Sequence, residues 1–192
     1  MNGNSADGGG LVVVSGPSGS GKTTICKALI EIPGVVLSVS ATTRPRRQGE
    51  VDGRDYHFLS PGDFEKKVEN GEFLEHAEYN GNRYGTLKAD VERKLAKGLT
   101  VILEIEVQGT RQLRDSGIQG RYVFVMPPSL EELEKRLWAR GTDSEEAILK
   151  RLSIARSEMD MAHLYDHVVV NRDLGEAVTE IRRWLGLEGR GR

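Results

Sequence analysis

Leu11-Val12-Val13-Val14-Ser15-Gly16-Pro17-Ser18-Gly19-Ser20-Gly21-Lys22-Thr23-Thr24 decides the fold of this chain. It opens as an apolar, β-branched run of the kind that forms a buried strand. The turn that follows satisfies G-x-x-x-x-G-K-[ST] from Gly16 to Thr23, and Ile25, Leu29 and Ile30 then recur at helical spacing. Strand, glycine turn and helix in this order form a loop that wraps phosphates. Glycines let backbone N–H groups turn inward, and the helix N-terminus adds partial positive charge. Lys22 brings a mobile cation to the β- and γ-phosphates, and the Thr23 hydroxyl is a ligand for Mg²⁺. The expected ATP contacts run through Gly16, Pro17, Ser18, Gly19, Ser20, Gly21, Lys22, Thr23 and Thr24.

Outward from this loop, short apolar runs alternate with amphipathic stretches, the pattern of an α/β fold built on a parallel sheet flanked by helices. Strands are expected over 11–15, 35–39, 100–105, 122–126 and 167–170. Ser129 with Glu132, and Asp173 with Glu176, are capping-box starts for two helices. The second of these carries Leu174, Val178, Ile181 and Leu185 along one face. Residues 40–90 break the rhythm with an arginine-rich loop, a strand near 56–59, a helix begun by Ser60-Pro61 and a strand near 73–79. This segment reads as an inserted mixed α+β subdomain. Residues 129–151, two charged helices joined near Arg140-Gly141-Thr142, read as a small helical lid. The core is then 11–39, 91–128 and 152–187, with tails at 1–10, expected to be disordered, and 188–192.

A chain of 192 residues suits one domain with small insertions. A net charge of −2 gives no general reason to bind nucleic acid or an anionic membrane, so attraction for phosphate is local. Residues 1–10 have neither the basic start nor the apolar stretch of a signal peptide, and no apolar run approaches the ~18 residues that cross a bilayer. The one cysteine, Cys26, reads as a small core residue and suits a reducing cytoplasm. A soluble cytoplasmic protein is expected.

Two further clusters carry chemistry. Glu104 and Glu106 end an apolar strand two residues apart, so both face one side. One acid would reach Mg²⁺ through water and the other the acceptor of the phosphoryl group. In the insertion, Ser40-Ala41-Thr42-Thr43-Arg44-Pro45-Arg46-Arg47 precedes Asp55-Tyr56. Guanidinium groups grip phosphate bidentately and a tyrosine hydroxyl adds a neutral hydrogen bond, so this cluster suits one further phosphate.

Here the chain strongly resembles guanylate kinase. The resemblance spans about 11–185 in order: the phosphate loop, Ser38-x-Ser40-x-Thr42-Thr43-Arg44, Gly49-Glu50-Val51-Asp52-Gly53-x-Asp55-Tyr56 and Gly71-Glu72-Phe73-Leu74-Glu75. It continues through Tyr84-Gly85-Thr86, Glu106-Val107-Gln108-Gly109, Arg140-Gly141-Thr142 and Val169-Val170-Asn171. The likeness implies ATP-dependent phosphorylation of GMP, and of dGMP, with Mg²⁺, by in-line transfer of the γ-phosphoryl group. It implies a GMP-binding role for 40–90, with Arg44, Arg47, Tyr56 and Tyr84 around the acceptor phosphate. Ser40, Glu75, Thr86 and Glu106 fall around guanine, and Glu104 toward the metal through water. Lys22, Arg44 and the lid arginines Arg136, Arg140 and Arg151 are implied in catalysis, and Asn171 lies near the ATP base. The chain departs from the family's usual pattern in having glutamate at 104 and 106 where aspartate is common, and in placing Pro45 directly after Arg44. The roles of the two glutamates, and whether Arg46 or Arg47 is the second phosphate ligand, stay open.

The chemistry agrees with that carry-over. Guanine presents N1–H and N2–H donors side by side, which one carboxylate accepts together, whereas adenine presents a lone pair there. Two other classes compete: a GTP-hydrolysing switch, since Glu106-Val107-Gln108-Gly109 imitates D-x-x-G, and a non-catalytic binding module of the same shape. The first lacks an N-K-x-D motif, and the intact phosphate loop argues against the second. His163 and His167 do not read as a metal pair, because the helix is expected to end between them. Trp138 and Trp184 read as packing residues.

Overall fold

The computed structural model describes residues 9–79, 81–139 and 144–189. Its centre is a five-stranded parallel sheet in the order β2-β7-β1-β8-β9. The strands are β1 (Leu11–Ser15), β2 (Val35–Leu37), β7 (Thr100–Glu104), β8 (Arg121–Met126) and β9 (His167–Val170). β1 runs in the middle with every residue buried, which is why its sequence shows no polar alternation. Val12 and Val14 enter one apolar cluster with Ile25, Leu29 and Ile181; Leu11 and Val13 enter another with Val91, Leu113 and Tyr122. The first cluster is covered by α1 (Lys22–Leu29) and α7 (Leu174–Trp184), the second by α3 (Lys88–Leu95) and α4 (Val107–Asp115). The helices after β1 and β7 thus leave toward opposite faces. The crevice between the C-terminal ends of these adjacent strands is where an open α/β sheet takes its ligand.

A second, mixed sheet has the order β4-β3-β6-β5. It comprises β3 (Ala41–Thr42), β4 (His57–Phe58), β5 (Phe73–Tyr79) and β6 (Asn82–Leu87), with α2 (Pro61–Glu69) packed on it. Phe64 of α2 is fully buried and stacks on Phe73 at 4.5 Å. Two further helices, α5 (Leu130–Ala139) and α6 (Glu145–Asp160), share a small core of Leu133, Leu137, Ile148 and Ala155. The expected helix starts are present. Ser60, Ser129, Ser144 and Asp173 each accept from the backbone N–H three residues on.

Several local expectations need correction. β2 ends at Leu37 and β7 at Glu104, where Ser38 and Ile105 make the last ladder bonds, to the Ile102 and Val14 carbonyls, before the chain leaves the sheet. Trp138 is 46% exposed: Leu133 and Leu137 take the buried stripe, and the next residue lies about 100° round the helix. Leu174 is 39% exposed and Ala177 takes its place in the core. Trp184 does pack, stacked on His167 at 5.0 Å. α6 runs unbroken through residue 151, where the lid was expected to end. Arg140 and the 1–8 part of the N-terminal tail lie outside the described residues.

Candidate active site

At the end of β1 the loop closes on itself. Gly16 and Gly21 have φ of 143° and 98°, and a Cβ on Gly16 would stand 2.3 Å from the Val125 carbonyl oxygen. Only glycine follows this path. Gly21 caps α1 with no side-chain hydrogen bond, and the first turn holds no acid, so the helix's free N–H groups and positive end stay open to an anion. Lys22 is 8% exposed, and its ammonium donates to the carbonyls of Gly16 at 2.5 Å and Pro17 at 3.1 Å. The Thr23 hydroxyl donates to Oε1 of Glu104 at 2.5 Å. Parallel pairing puts Val14 opposite Glu104, so the strand register itself brings that acid to the loop. Hydroxyl and carboxylate oxygens meeting beside a phosphate loop are the hard donors that Mg²⁺ takes along with phosphate and water. No group of three or more His, Cys, Asp or Glu suited to a metal occurs among the described residues, so no all-protein cage competes.

A cleft of about 300 Å³ joins this corner to the second sheet. Lys22, Thr23, Glu104 and Glu106 line it from the core; Ser40, Tyr56, Glu75 and Tyr84 line it from the insertion. Glu75 is 5% exposed, and burial pushes its carboxyl up to about 7, with the Glu106 charge adding to the rise and hydrogen bonds from Thr86 opposing it. Thr86, fully buried, donates its hydroxyl proton to Glu75 at 2.7 Å. Register explains the pair: Glu75 sits opposite Thr86 across the β5–β6 ladder.

The phosphate corner of the insertion is also organised. Arg44 lies over the Tyr56 ring at 5.3 Å, and Tyr56 meets Tyr84 edge-on at 6.1 Å. Glu50 accepts from the Arg44 guanidinium and from the Arg47 N–H, both at 2.7 Å. That pairing holds Arg44 above its ordinary value and Glu50 below its own. Tyr56 is pushed up by burial, then by Tyr84 and Glu104, which keeps its hydroxyl a donor. Arg46 and Arg47 are both exposed, so neither is built into the corner as Arg44 is.

Two of the remaining expected residues, Asn171 and Arg136, are joined beside the loop. Asn171, 7% exposed, donates its amide to the Ser20 carbonyl at 2.7 Å. Its own carbonyl accepts from Arg136 of α5 at 3.2 Å. Asn171 thus braces the phosphate loop. Leu133 and Leu137 close over Gly19, where a Cβ would come within 2.9 Å of Leu133. Arg151 lies on α6.

Sequence reasoning missed four residues. Glu50 organises the arginine corner, and Gly109 and Gln112 meet β5. Glu158 of α6 is pushed up to about 7 by burial, then by the Glu106 charge, with Lys22 opposing. Glu50 alone carried a signal, being the acid three and six residues from two of the arginines.

Comparison with known proteins agrees with this geometry. A family model described as Guanylate kinase matches residues 9–188. A guanylate kinase of Gloeobacter violaceus is 52% identical over 176 residues, 91% of this chain and 86% of that protein. One of Clostridium perfringens is 46% identical over 178 residues, 92% of this chain and 82% of that protein. The crystal structure of guanylate kinase from Anaplasma phagocytophilum superposes with a TM-score of 0.76 at 34% identity, covering 97% of this chain and 88% of that one. With the family's motifs standing at both ends of one cleft, the chain belongs to the guanylate kinase family.

Proposed function

We propose that this protein transfers the γ-phosphoryl group of ATP to GMP, and to dGMP, giving ADP and the diphosphate. One observation carries the reading: a phosphate loop and a buried carboxylate, Glu75, open into the same cleft. The loop amides and Lys22 would hold the β- and γ-phosphates, the ammonium exchanging the Gly16 and Pro17 carbonyls for phosphate oxygens. Thr23, with Glu104 behind it through water, would hold Mg²⁺, which when bound neutralises charge on the phosphates. Arg44, Tyr56 and Tyr84 take the acceptor phosphate, with Arg47 the second guanidinium. Glu75 accepts N1–H and N2–H of guanine, with Ser40 and Glu106 on the same rim.

The acceptor needs no general base, because a phosphate with a second pKa of ~6 is already anionic at neutral pH. The protein's task is to align two mutually repelling anions and exclude water. Residues 40–90 form the acceptor subdomain in this reading. Residues 129–151 form a lid whose Arg136, Arg140 and Arg151 would reach the transferring group. No helix among the described residues is long and apolar enough to cross a membrane, and the buried free thiol of Cys26 suits the cytoplasm, the compartment we assign.

The test is ADP formation from Mg-ATP with GMP, dGMP, AMP, CMP and UMP in turn. Turnover that depends on a guanine monophosphate is expected. ADP release without any acceptor would point instead to a hydrolase.

A further inference from the structure

The first turn of α4 meets the acceptor pocket from behind. A methyl group built on Gly109 would lie 2.4 Å from Oε2 of Glu75 and 3.0 Å from its Cδ, inside the closest approach of real Cβ atoms. Gly109 sits in a regular helix, where alanine is intrinsically the better residue. Its bareness therefore answers to the carboxylate beside it. One turn on, the Gln112 side chain accepts from the His76 N–H at 3.1 Å and donates to the His76 carbonyl at 2.7 Å. β5 is an edge strand, so this amide takes the place of a neighbouring strand at the residue next to Glu75. The N-cap of α4 is Glu106, whose charge adds to the burial that discourages Glu75 from ionising.

We propose that Gly109 and Gln112 are positioning residues for selection of the acceptor base. The side-chain-free turn at Gly109 seats the Glu75 carboxylate, and the Gln112 amide fixes, through His76, where that carboxylate stands along β5. The proposal rests on Glu75 reading guanine as described above. Two adjacent donors are matched by one carboxylate only within a few tenths of an ångström, so a displaced seat costs discrimination before it costs chemistry.

The experiment compares kcat/KM for GMP and IMP, which lacks the 2-amino group and so offers Glu75 one donor fewer. Gly109→Ala is expected to lower the GMP/IMP ratio about tenfold, through KM for GMP, with KM for ATP unchanged within about twofold. In a Glu75→Asp background the shorter acid withdraws from the added methyl, so the same substitution should then cost less than about twofold. Gln112→Met, similar in shape but unable to make either hydrogen bond, should lower the ratio about threefold. An unchanged ratio in Gly109→Ala, or an equal loss in the Glu75→Asp background, would overturn the proposal. Should Gly109→Ala fail to fold by circular dichroism, recovery of the fold in the double variant supports the seat and continued failure overturns it. Glu75→Gln is assayed alongside. If it leaves the ratio unchanged, the reading of Glu75 itself fails; if it lowers the ratio while Gly109→Ala does not, only the present proposal falls.

Discussion

The two ends of the cleft are built by opposite means. The loop at 16–23 is one contiguous stretch whose working parts are backbone amides, held in shape by glycine and by the start of α1. The acceptor end draws Ser40, Arg44, Tyr56, Glu75 and Tyr84 from separate turns of a small mixed sheet, and its working parts are side chains already paired with one another. Backbone donors read only charge and shape. Side chains with prearranged partners can also read a base, so under the proposed function selectivity would lie at the acceptor end.

This contrast can be broken at each end. Removing the one side-chain cation of the loop, with Lys22→Ala, should lower kcat by about 10³-fold or more, with GMP affinity by calorimetry nearly unchanged. A variant that instead lost GMP binding would show the two ends to be one unit. Glu75→Gln should lower kcat/KM for GMP by about 10²-fold and shrink the preference over AMP, leaving KM for ATP in place. Wild-type selectivity in that variant would remove the base-reading role from Glu75.

A smaller effect sharpens the difference. Glu75 is pushed up to about 7, and guanine's donors need its ionised form, so GMP should bind about tenfold more weakly at pH 6 than at pH 8. Calorimetry in buffers of different ionisation enthalpy should show proton release near pH 6.5. Glu75→Gln retains only the part owed to the GMP phosphate. The sign for the unliganded protein is opposite. A carboxyl raised on folding contributes stability that is full below its ordinary value of 4.5 and is lost as pH rises through about 7. The melting temperature should therefore drift down over that window, less so in Glu75→Gln.

The same contrast explains what could be read from the sequence. The donor loop was legible because its strand, glycines and helix are adjacent in the chain, and β1, β9 and β5 fell at their expected bounds for the same local reason. Gly109 stood in the motif Glu106-Val107-Gln108-Gly109, but its closeness to Glu75, like the bonds of Gln112 to His76, is a distance to β5 that no spacing along the chain encodes. Thr86 was expected around guanine, and the sequence did not show that cross-strand register gives its proton to Glu75. Trp138 shows the limit of helical periodicity, which finds the buried stripe but misassigns the residue beside it.

The bond from Asn171 to Ser20 bridges 151 positions of chain. β1 likewise waits for β8, at 121–126, to complete its second side. A nascent polypeptide still missing residue 171 would carry the whole nucleotide-gripping motif without the amide that steadies it. The shape of the loop is thus completed by tertiary contacts with parts of the chain made much later than the loop itself.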